Sequence, residues 1–433
     1  MRHMKLPTAR YRISDEEIAV IGGGPAGMMA AVSAAANGAR VLLLEKNDRL
    51  GIKLCITGKG RCNITNSCTP QTVIQNTPRN GKFLYSSLNR FSPSDVYEFF
   101  ERNGLKLKVE RGNRVFPVSD RAKDVLEVLK NLLSRNGVKV MRFKVNDIVV
   151  NDDGSFDILS DSGQAIRCKA VILATGGKSY PKTGSTGDGY RLAERLGHTV
   201  IEPKPSIVPL ESPDPDCVEM QGLSLRNVGV RATDKNGRLV YEDFGELMFT
   251  HFGISGPTVL SMSAHLRDFD KTGYTVSIDF KPALDHKKLD ERILRDFEKF
   301  SNRIFRNSLG DLLPAKAIMP VVRRSGIDPF KPVHSIERKE RQTLLSVIKD
   351  FRIEVFGTRP IEEAVVTSGG VDTGEIDPRT MESKLVRGLF FAGEIIDVDA
   401  YTGGFNLQIA WSTGYSAGLS ASKYCDTSED WQC

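Results

Sequence analysis

The glycine spacing near the start of the chain constrains the fold more than any other feature. The apolar run Ile18-Ala-Val-Ile21 turns through Gly22-x-Gly24-x-x-Gly27 into small residues, and Val41-Leu-Leu-Leu-Glu45 follows as a second apolar run. This order predicts a βαβ unit. Gly22 would make the tight turn, Gly24 would let the backbone approach a pyrophosphate, and Gly27 would let the helix pack on the strand.

An acidic residue at the end of the second run supports this interpretation. Glu45 follows the glycines by about twenty residues, where a carboxylate accepts hydrogen bonds from ribose hydroxyls and repels a 2′-phosphate. The glycines alone are also compatible with ordinary turns. Strand, spacing and acid together predict dinucleotide binding.

The far end of the chain carries a matching pair of segments, Phe391-Ala-Gly-Glu394 and Gly403-Gly-Phe-Asn-Leu-Gln408. The second segment opens a predicted helix over 407–418. Its N-terminal amides suit the N1–C2=O edge of reduced flavin, where negative charge collects; a simple capping loop is the alternative. Both ends together predict one FAD site closed from the two termini.

Composition favours a cytoplasmic enzyme with no membrane partner. The apolar stretch 18–36 is interrupted by Gly-Gly-Gly-Pro, which fits a strand that turns into a helix rather than a membrane span. The first fifteen residues lack the apolar region of a signal peptide. Seven cysteines without framework spacing indicate reduced thiols, and no metal-binding spacing is visible.

The net charge of +6 is unevenly distributed. Residues 40–144 contain 21 Lys and Arg against 9 Asp and Glu, and residues 301–342 contain 9 against 4. Excess positive charge favours polyanionic partners. A solvated surface with a few charges that serve the FAD pyrophosphate is the alternative.

Between these ends, the pattern predicts an interrupted nucleotide domain. A helix with an apolar face from Val125 to Leu133, capped by Ser119 or Asp120, precedes a β-meander that returns through the apolar strand 170–177. The five prolines of 202–215 exclude regular structure there and mark a boundary. We therefore expect a first FAD-binding part at 1–203, an insert at 204–362 and a second FAD-binding part at 363–433. Within the insert, short strands precede a helical lobe at about 285–352.

Several blocks, in this order, carry a family resemblance: Gly22-Gly-Gly-Pro-Ala-Gly27, Gly58-Lys-Gly-Arg-Cys-Asn63, Arg114-Val-Phe-Pro117, Gly176-Gly-Lys-Ser-Tyr-Pro-Lys-Thr-Gly-Ser-Thr-Gly-Asp-Gly189, Phe249-Thr-His-Phe-Gly-Ile-Ser-Gly-Pro257 and Gly403-Gly-Phe-Asn-Leu-Gln408. From Ile18 to about Ser420 the chain resembles the BaiN/YhiN-like family of FAD-binding oxidoreductases. One departure is Phe405, where relatives often have Tyr, so a phenolic role there is in doubt.

The resemblance implies an α/β fold. A Rossmann-like FAD-binding domain of the two-dinucleotide-binding-domain flavoprotein type would be interrupted by a β-barrel plus helical insert. Motifs and resemblance together place FAD against Gly22, Gly24, Pro25, Ala26, Gly27, Glu45, Lys46, Lys53, Gly60, Arg61, Cys62, Asn63, Val145, Ala174, Thr175, Gly176, Gly393, Glu394, Asp397, Gly404, Phe405, Asn406 and Leu407.

Four of the candidate residues have a plain alternative. Glu394 sits where related flavoproteins bind the ribitol chain, with Asp397 one turn further on; each could be a solvated loop acid. His251, in a glycine-rich loop, and Cys62 are candidate catalytic proton donors, because reduction of a C=C bond needs a hydride on one carbon and a proton on the other. A structural histidine and a packed thiol are the alternatives.

No second Gly-x-Gly-x-x-Gly follows a strand, so a dedicated NAD(P)H domain is not expected. NAD(P)H would bind transiently as electron donor, or dioxygen would reoxidise the flavin. Three functions stay open. They are a reductase of an activated C=C bond in a small molecule, an amine or aminoketone oxidase, and a dihydrouridine synthase acting on ribosomal RNA.

Overall fold

The computed structural model describes residues 17–269 and 273–427. The first fifteen residues, which bear on the signal-peptide prediction, and Cys433 lie outside them. The chain divides into two compact units. Unit 1 comprises Met1–Pro205 and Ile361–Cys433, and unit 2 comprises Ser206–Pro360.

The strands are β1 Ile18–Ile21, β2 Val41–Glu45, β3 Thr65–Asn66, β4 Leu107–Glu110, β5 Arg114–Pro117, β6 Lys139–Arg142, β7 Val145–Val150, β8 Phe156–Ser160, β9 Ala165–Cys168, β10 Ala170–Leu173, β11 Val200–Ser206, β12 Leu210–Glu211, β13 Ser224–Asp234, β14 Leu239–Thr250, β15 Gly253–Ser255, β16 Tyr274–Asp279, β17 Phe351–Val355, β18 Gly357–Thr358, β19 Val366–Val371 and β20 Leu389–Phe391.

The α-helices are α1 Pro25–Ala36, α2 Ile52–Ile56, α3 Pro70–Gln75, α4 Tyr85–Arg90, α5 Pro93–Arg102, α6 Ala122–Arg135, α7 Asp188–Arg195, α8 Pro215–Glu219, α9 Pro257–Ser263, α10 His286–Lys299, α11 Ala315–Ser325, α12 Arg338–Lys349 and α13 Phe405–Thr427. Short 3₁₀ turns connect some of them. None of the helices in the described ranges has the length and apolar character needed to cross a bilayer.

A five-stranded parallel sheet forms the centre of unit 1, in the order β20-β10-β1-β2-β6. Every residue of β1 and β10 is buried, as expected for strands covered on both faces. The first βαβ unit runs through β1, α1 and β2, and a three-stranded meander of β7, β8 and β9 precedes β10. The predicted Rossmann-like fold is confirmed.

The two ends of the chain meet through α1 and α13. A Cβ added to Gly414 would lie 2.4 Å from the Ala26 carbonyl oxygen, and one added to Gly418 would lie 2.2 Å from that of Ala30. These glycines allow the two helix backbones to approach closely. The C-terminal helix is thus part of the nucleotide unit.

Two local predictions are wrong. The N-cap of α6 is Arg121, which makes no side-chain capping bond, whereas Asp120 instead binds Arg61 and Lys108. The proline-rich segment is not wholly irregular, because β11 runs through Pro203 and Pro205. Among the described residues this strand pairs with β19 alone, and an edge strand tolerates residues without an N–H donor.

Unit 2 is built on a seven-stranded sheet in the order β17-β16-β13-β14-β15-β12-β18. Its pairings are antiparallel. Strands β17 and β18 are the two edges of this sheet, and a single residue, Phe356, separates them in the chain. One extended segment therefore forms both edges, and the sheet closes into a barrel. The strands of the insert are predicted to be short, but β13 and β14 contain 11 and 12 residues. Helices α10, α11 and α12 supply the helical lobe, and their buried apolar residues join the same core.

Candidate functional site

Unit 1 contains a cavity of about 890 Å³ at the carboxyl edge of the parallel sheet. Residues at or beyond the end of each of the five strands line it: Ile21–Gly24, Leu44–Lys46, Phe143–Val145, Ala174–Gly176, and Ala392 with Glu394. In open α/β sheets, ligands bind at the carboxyl ends of the strands, at the point where the strand order reverses. The volume is in the range of small-molecule and cofactor sites.

The first glycine turn forms a cradle for phosphate at the start of α1. Gly24 is the N-cap residue of α1, and a Cβ built on it would meet no heavy atom within 4 Å. Gly22 adopts a φ of +111°, and a Cβ there would lie 2.4 Å from the Ala174 carbonyl oxygen. The open space beside Gly24 and the N-terminus of α1 together suit a pyrophosphate.

Glu45 lies on the cavity at the end of β2, and its carboxylate is already oriented. One oxygen accepts the Gly23 N–H at 2.7 Å, and the other accepts the Asn47 N–H at 2.9 Å. The neighbouring Lys46 forms an ion pair with Asp188, with 2.5 Å between Lys46 Nζ and Asp188 Oδ2. Asp188 also lines the cavity. This wall offers a fixed acceptor for sugar hydroxyls.

Glu394 and Lys53 form an ion pair on the cavity wall. Lys53 Nζ lies 2.8 Å from Glu394 Oε2, and the other carboxylate oxygen accepts the Thr367 N–H at 2.8 Å. Burial alone would raise the pKa of Glu394, but Lys53 and the hydrogen bonds hold it below its ordinary value. The carboxylate is therefore ionised and held rigidly at neutral pH.

The N-terminus of α13 opens on the same cavity. Gly403 and Gly404 have φ values of +132° and +98°, and a Cβ on Gly404 would lie 2.4 Å from the Thr65 carbonyl oxygen. Asn406 fixes the preceding loop by bonding to both the N–H and the C=O of Ala400. The first amides of a helix lack intrahelical partners, so they are available to an acceptor in the cavity.

The basic loop after α2 reaches the cavity with Lys59, Arg61 and Asn63. The guanidinium of Arg61 bonds to Asp120 at 2.7 Å and to Glu110 at 2.5 Å, so it anchors the loop. Cys62 has a positive φ of 60° and is fully buried. Burial raises the pKa of its thiol to about 12, and the residue is not part of the cavity lining.

Five predicted cofactor contacts, Gly27, Gly60, Cys62, Gly393 and Asp397, do not line the cavity, whereas the other predicted contacts do. Gly27 serves packing, because a Cβ there would lie 1.9 Å from the Gly22 carbonyl oxygen. Gly393 donates its N–H to Thr413 Oγ1 at 2.9 Å.

Asp397 is buried, and its carboxylate binds Arg79 at 3.0 Å and Asn80 at 2.9 Å. Burial, opposed by Arg79, raises the pKa of Asp397. The residue therefore ties the loop after β20 to the segment around Asn80.

His251 belongs to unit 2, on the turn between β14 and β15. Its ring is exposed and stands edge-to-face against Phe252, with ring centroids 5.0 Å apart. The structure thus places this residue on the surface of unit 2.

Sequence reasoning missed other lining residues, because no periodic or motif signal singles them out; they include Asn47, Arg49, Asn66 and Tyr401. Asn66 joins two loops, because its amide donates to the carbonyl oxygens of Gly112 and Gly403, both at 3.0 Å. Such contacts depend on tertiary proximity. The Arg114-Val-Phe-Pro117 block was the one available signal for Phe116 and Arg114.

The donor set fits FAD. Among the described residues, two buried polar atoms of lining side chains have no hydrogen-bond partner, Asn63 Oδ1 and Thr175 Oγ1. Buried polar groups are nearly always satisfied, so these atoms indicate a polar ligand. Together with the Gly24 cradle, the oriented Glu45 carboxylate and the α13 amides, they match a ligand that carries phosphates, sugar hydroxyls and a polar ring edge.

Comparison with known proteins agrees with this geometry. The chain is 33% identical over 94% of its length to the 3-dehydro-bile acid delta(4,6)-reductase of Clostridium scindens, of which it covers 99%. It is 32% identical over 92% of its length to the ribosomal RNA dihydrouridine synthase of Escherichia coli, of which it covers 96%. The BaiN/YhiN-like resemblance is confirmed.

The fold also resembles that of a solved flavoenzyme. The 3-ketosteroid-delta4-(5alpha)-dehydrogenase of Rhodococcus jostii RHA1 superimposes with a TM-score of 0.54 at 16% identity, covering 96% of this chain and 98% of that one. The family model described as HI0933-like protein Rossmann domain matches residues 16–420. The chain therefore belongs to the HI0933-like family and is an FAD-dependent oxidoreductase.

Proposed function

We propose that the enzyme reduces a C=C bond conjugated to a carbonyl group, with electrons from NAD(P)H. The main support is the similarity, over more than nine-tenths of the chain, to two relatives whose named reactions share this chemistry. A bile acid delta(4,6)-reductase saturates ring double bonds, and dihydrouridine differs from uridine by two hydrogens across one double bond. Overall, a hydride from NAD(P)H and a proton add to the two carbons of the C=C bond, which leaves a C–C single bond and NAD(P)⁺.

When bound, FAD supplies the two-electron transfer. The chain's own residues bind and orient it. Gly24 would accommodate the pyrophosphate, Glu45 would accept hydrogen bonds from the ribose hydroxyls, and Glu394, held by Lys53, would accept them from the ribitol hydroxyls. The amides at the start of α13 would stabilise negative charge on the flavin ring.

NAD(P)H is proposed as a transient donor, because the sequence holds no second dinucleotide fingerprint. The proposed proton donor is His251, whose exposed imidazole can transfer a proton. Cys62 is less suited to this role because its thiol is fully buried and absent from the cavity lining. We propose that Cys62 packs the basic loop.

Anaerobic reduction tests the electron flow. FAD-loaded protein is mixed with NADH or NADPH without oxygen, and the visible flavin band is followed. We expect bleaching by one nicotinamide, slow recovery on addition of oxygen, and fast recovery on addition of an α,β-unsaturated ketone. Bleaching by an amine, followed by rapid peroxide formation in air, would instead identify an oxidase.

A second candidate is dihydrouridine synthesis in ribosomal RNA, favoured by the named activity of the Escherichia coli relative and by the basic excess at residues 40–144. Binding to phosphates would weaken with salt, with a log–log slope of about −0.7 per contact on single strands. The decisive measurement is nucleoside analysis of ribosomal RNA from a strain that lacks the gene. Unchanged dihydrouridine content would leave the small-molecule reductase as the function.

A further inference from the structure

Charge pairing separates the cations beside the cavity into two groups. Arg61 and Lys108 are matched by Glu110 and Asp120 in one network: Arg61 binds both carboxylates, and Lys108 lies 2.6 Å from Asp120 and 3.5 Å from Glu110. Two positive and two negative charges cancel. This network holds the basic loop in place but leaves no charge for a ligand.

Arg114 is not part of this network of ion pairs. It faces Glu110 across the β4–β5 ladder, where opposite charges ordinarily pair. The Glu110 carboxylate is taken by Arg61 and Lys108, so within the described ranges the contacts of Arg114 are a hydrogen bond to the Arg111 carbonyl oxygen and the ring of Phe116, 5.8 Å away. Its charge faces the cavity without a carboxylate.

Like Arg49, which follows β2, Lys59 also lines the cavity without an acidic partner among the described residues. No hydrogen bond or ion pair of its side chain is found among the described residues, and the side chain is exposed at the cavity. Its backbone φ of +59° is unusual for a residue with a Cβ. Such strain persists where the surroundings impose it and concentrates at binding and catalytic sites.

Contacts place Arg114 toward the α13 end of the cavity. Asn66 bonds to Gly112, two residues before Arg114, and to Gly403 at the entrance of α13. The pyrophosphate cradle, in contrast, is formed by Gly24 at the start of α1. Arg114 is therefore associated with the flavin-ring end of the proposed FAD site.

We propose that Lys59 and Arg114 form an anion subsite that binds a carboxylate or phosphate group of the substrate. The proposal rests on the proposed function, because it assigns the substrate a charge. A planar guanidinium and a mobile ammonium together match either anion. The subsite selects anionic unsaturated carbonyl compounds over neutral ones.

The test uses FAD-loaded protein and three small probes: benzoate, phenyl phosphate and neutral benzamide. Binding is measured from the perturbation of the visible flavin band. We expect the better anion to bind at least about tenfold more tightly than benzamide, as charge-assisted hydrogen bonds require. The preferred anion identifies the group, and its affinity should fall with added salt.

The matched variants are K59Q, R114Q, the double variant, and K106Q as control, since Lys106 is an exposed lysine outside the cavity lining. We expect the double variant to lose the preference for anions while it keeps its FAD, and K106Q to behave like wild type. Equal binding of benzamide and both anions by wild type, unchanged anion binding in the double variant, or loss of FAD from it would overturn the proposal. Failure of NAD(P)H to reduce wild-type flavin would refute the proposed function alone, because anion binding is measured without turnover.

Discussion

Replacement of Gly24 by alanine should abolish tight FAD binding while leaving the fold intact. Gly24 has φ −79° and ψ −176°, a conformation open to any residue, and an added Cβ would meet no protein atom within 4 Å. Alanine is a poorer N-cap residue than glycine, which lowers the free energy of unfolding by less than about 1 kcal/mol. Alanine also restricts the unfolded chain, which raises the free energy of unfolding by a similar amount. The free energy of unfolding of the apoprotein should therefore change by less than about 1 kcal/mol.

The methyl group would occupy the space that we assign to the pyrophosphate. Displacement of charge-assisted hydrogen bonds costs about 1.5–3 kcal/mol, which raises the dissociation constant of FAD about 10-fold to 150-fold. Gly27→Ala is the matched contrast. Its Cβ would lie 1.9 Å from the Gly22 carbonyl oxygen, so α1 must move, at about 1–3 kcal/mol or more of stability.

The assay combines thermal unfolding of the two apoproteins with fluorescence titration of FAD. We expect Gly24→Ala to keep the wild-type melting temperature and lose affinity, and Gly27→Ala to melt about 1–2 °C lower for each kcal/mol lost. If Gly24→Ala purifies with full flavin and wild-type affinity, the assignment of the cradle is refuted. If Gly27→Ala melts like wild type, the packing argument fails.

Three further perturbations have defined outcomes. Thr175→Val removes a buried hydroxyl that lacks a partner among the described residues, so apoprotein stability should stay equal or rise while FAD affinity falls about tenfold; equal affinity would contradict the polar-ligand argument. Gly418→Val should lower the melting temperature, because its Cβ would lie 2.2 Å from the Ala30 carbonyl oxygen; an unchanged melting temperature would contradict close α1–α13 packing. Burial lowers the pKa of His198, against the opposing effect of Glu375, so the unfolded chain binds the proton more readily. The contribution of His198 to the free energy of unfolding is then complete above about pH 6.5 and is lost as the pH falls. In denaturant unfolding, the free energy of unfolding of His198→Gln should therefore decrease less in acid than that of the wild type.

The parallel core could be predicted because its signals are local. The apolar runs at β1 and β2, and the glycines between them, specify strands and turn without reference to the rest of the chain. β11 could not be predicted in this way, because prolines normally exclude a strand and only its edge position beside β19 makes it possible. In the same way, Asp120 has the residue type and position of a helix cap, but two basic side chains from elsewhere in the sequence bind it instead.

In the candidate site, the charge available to a ligand also depends on contacts between distant segments. Lys59 and Arg61 are two residues apart in one basic loop, and a count of charges along the sequence does not distinguish them. In the structure, carboxylates of β4 and of the turn after β5 neutralise Arg61, whereas Lys59 keeps its charge on the cavity wall. A count of basic residues therefore overstates the charge available to a ligand. The cations available to a ligand are those that no carboxylate neutralises, and only the pairing of distant segments identifies them.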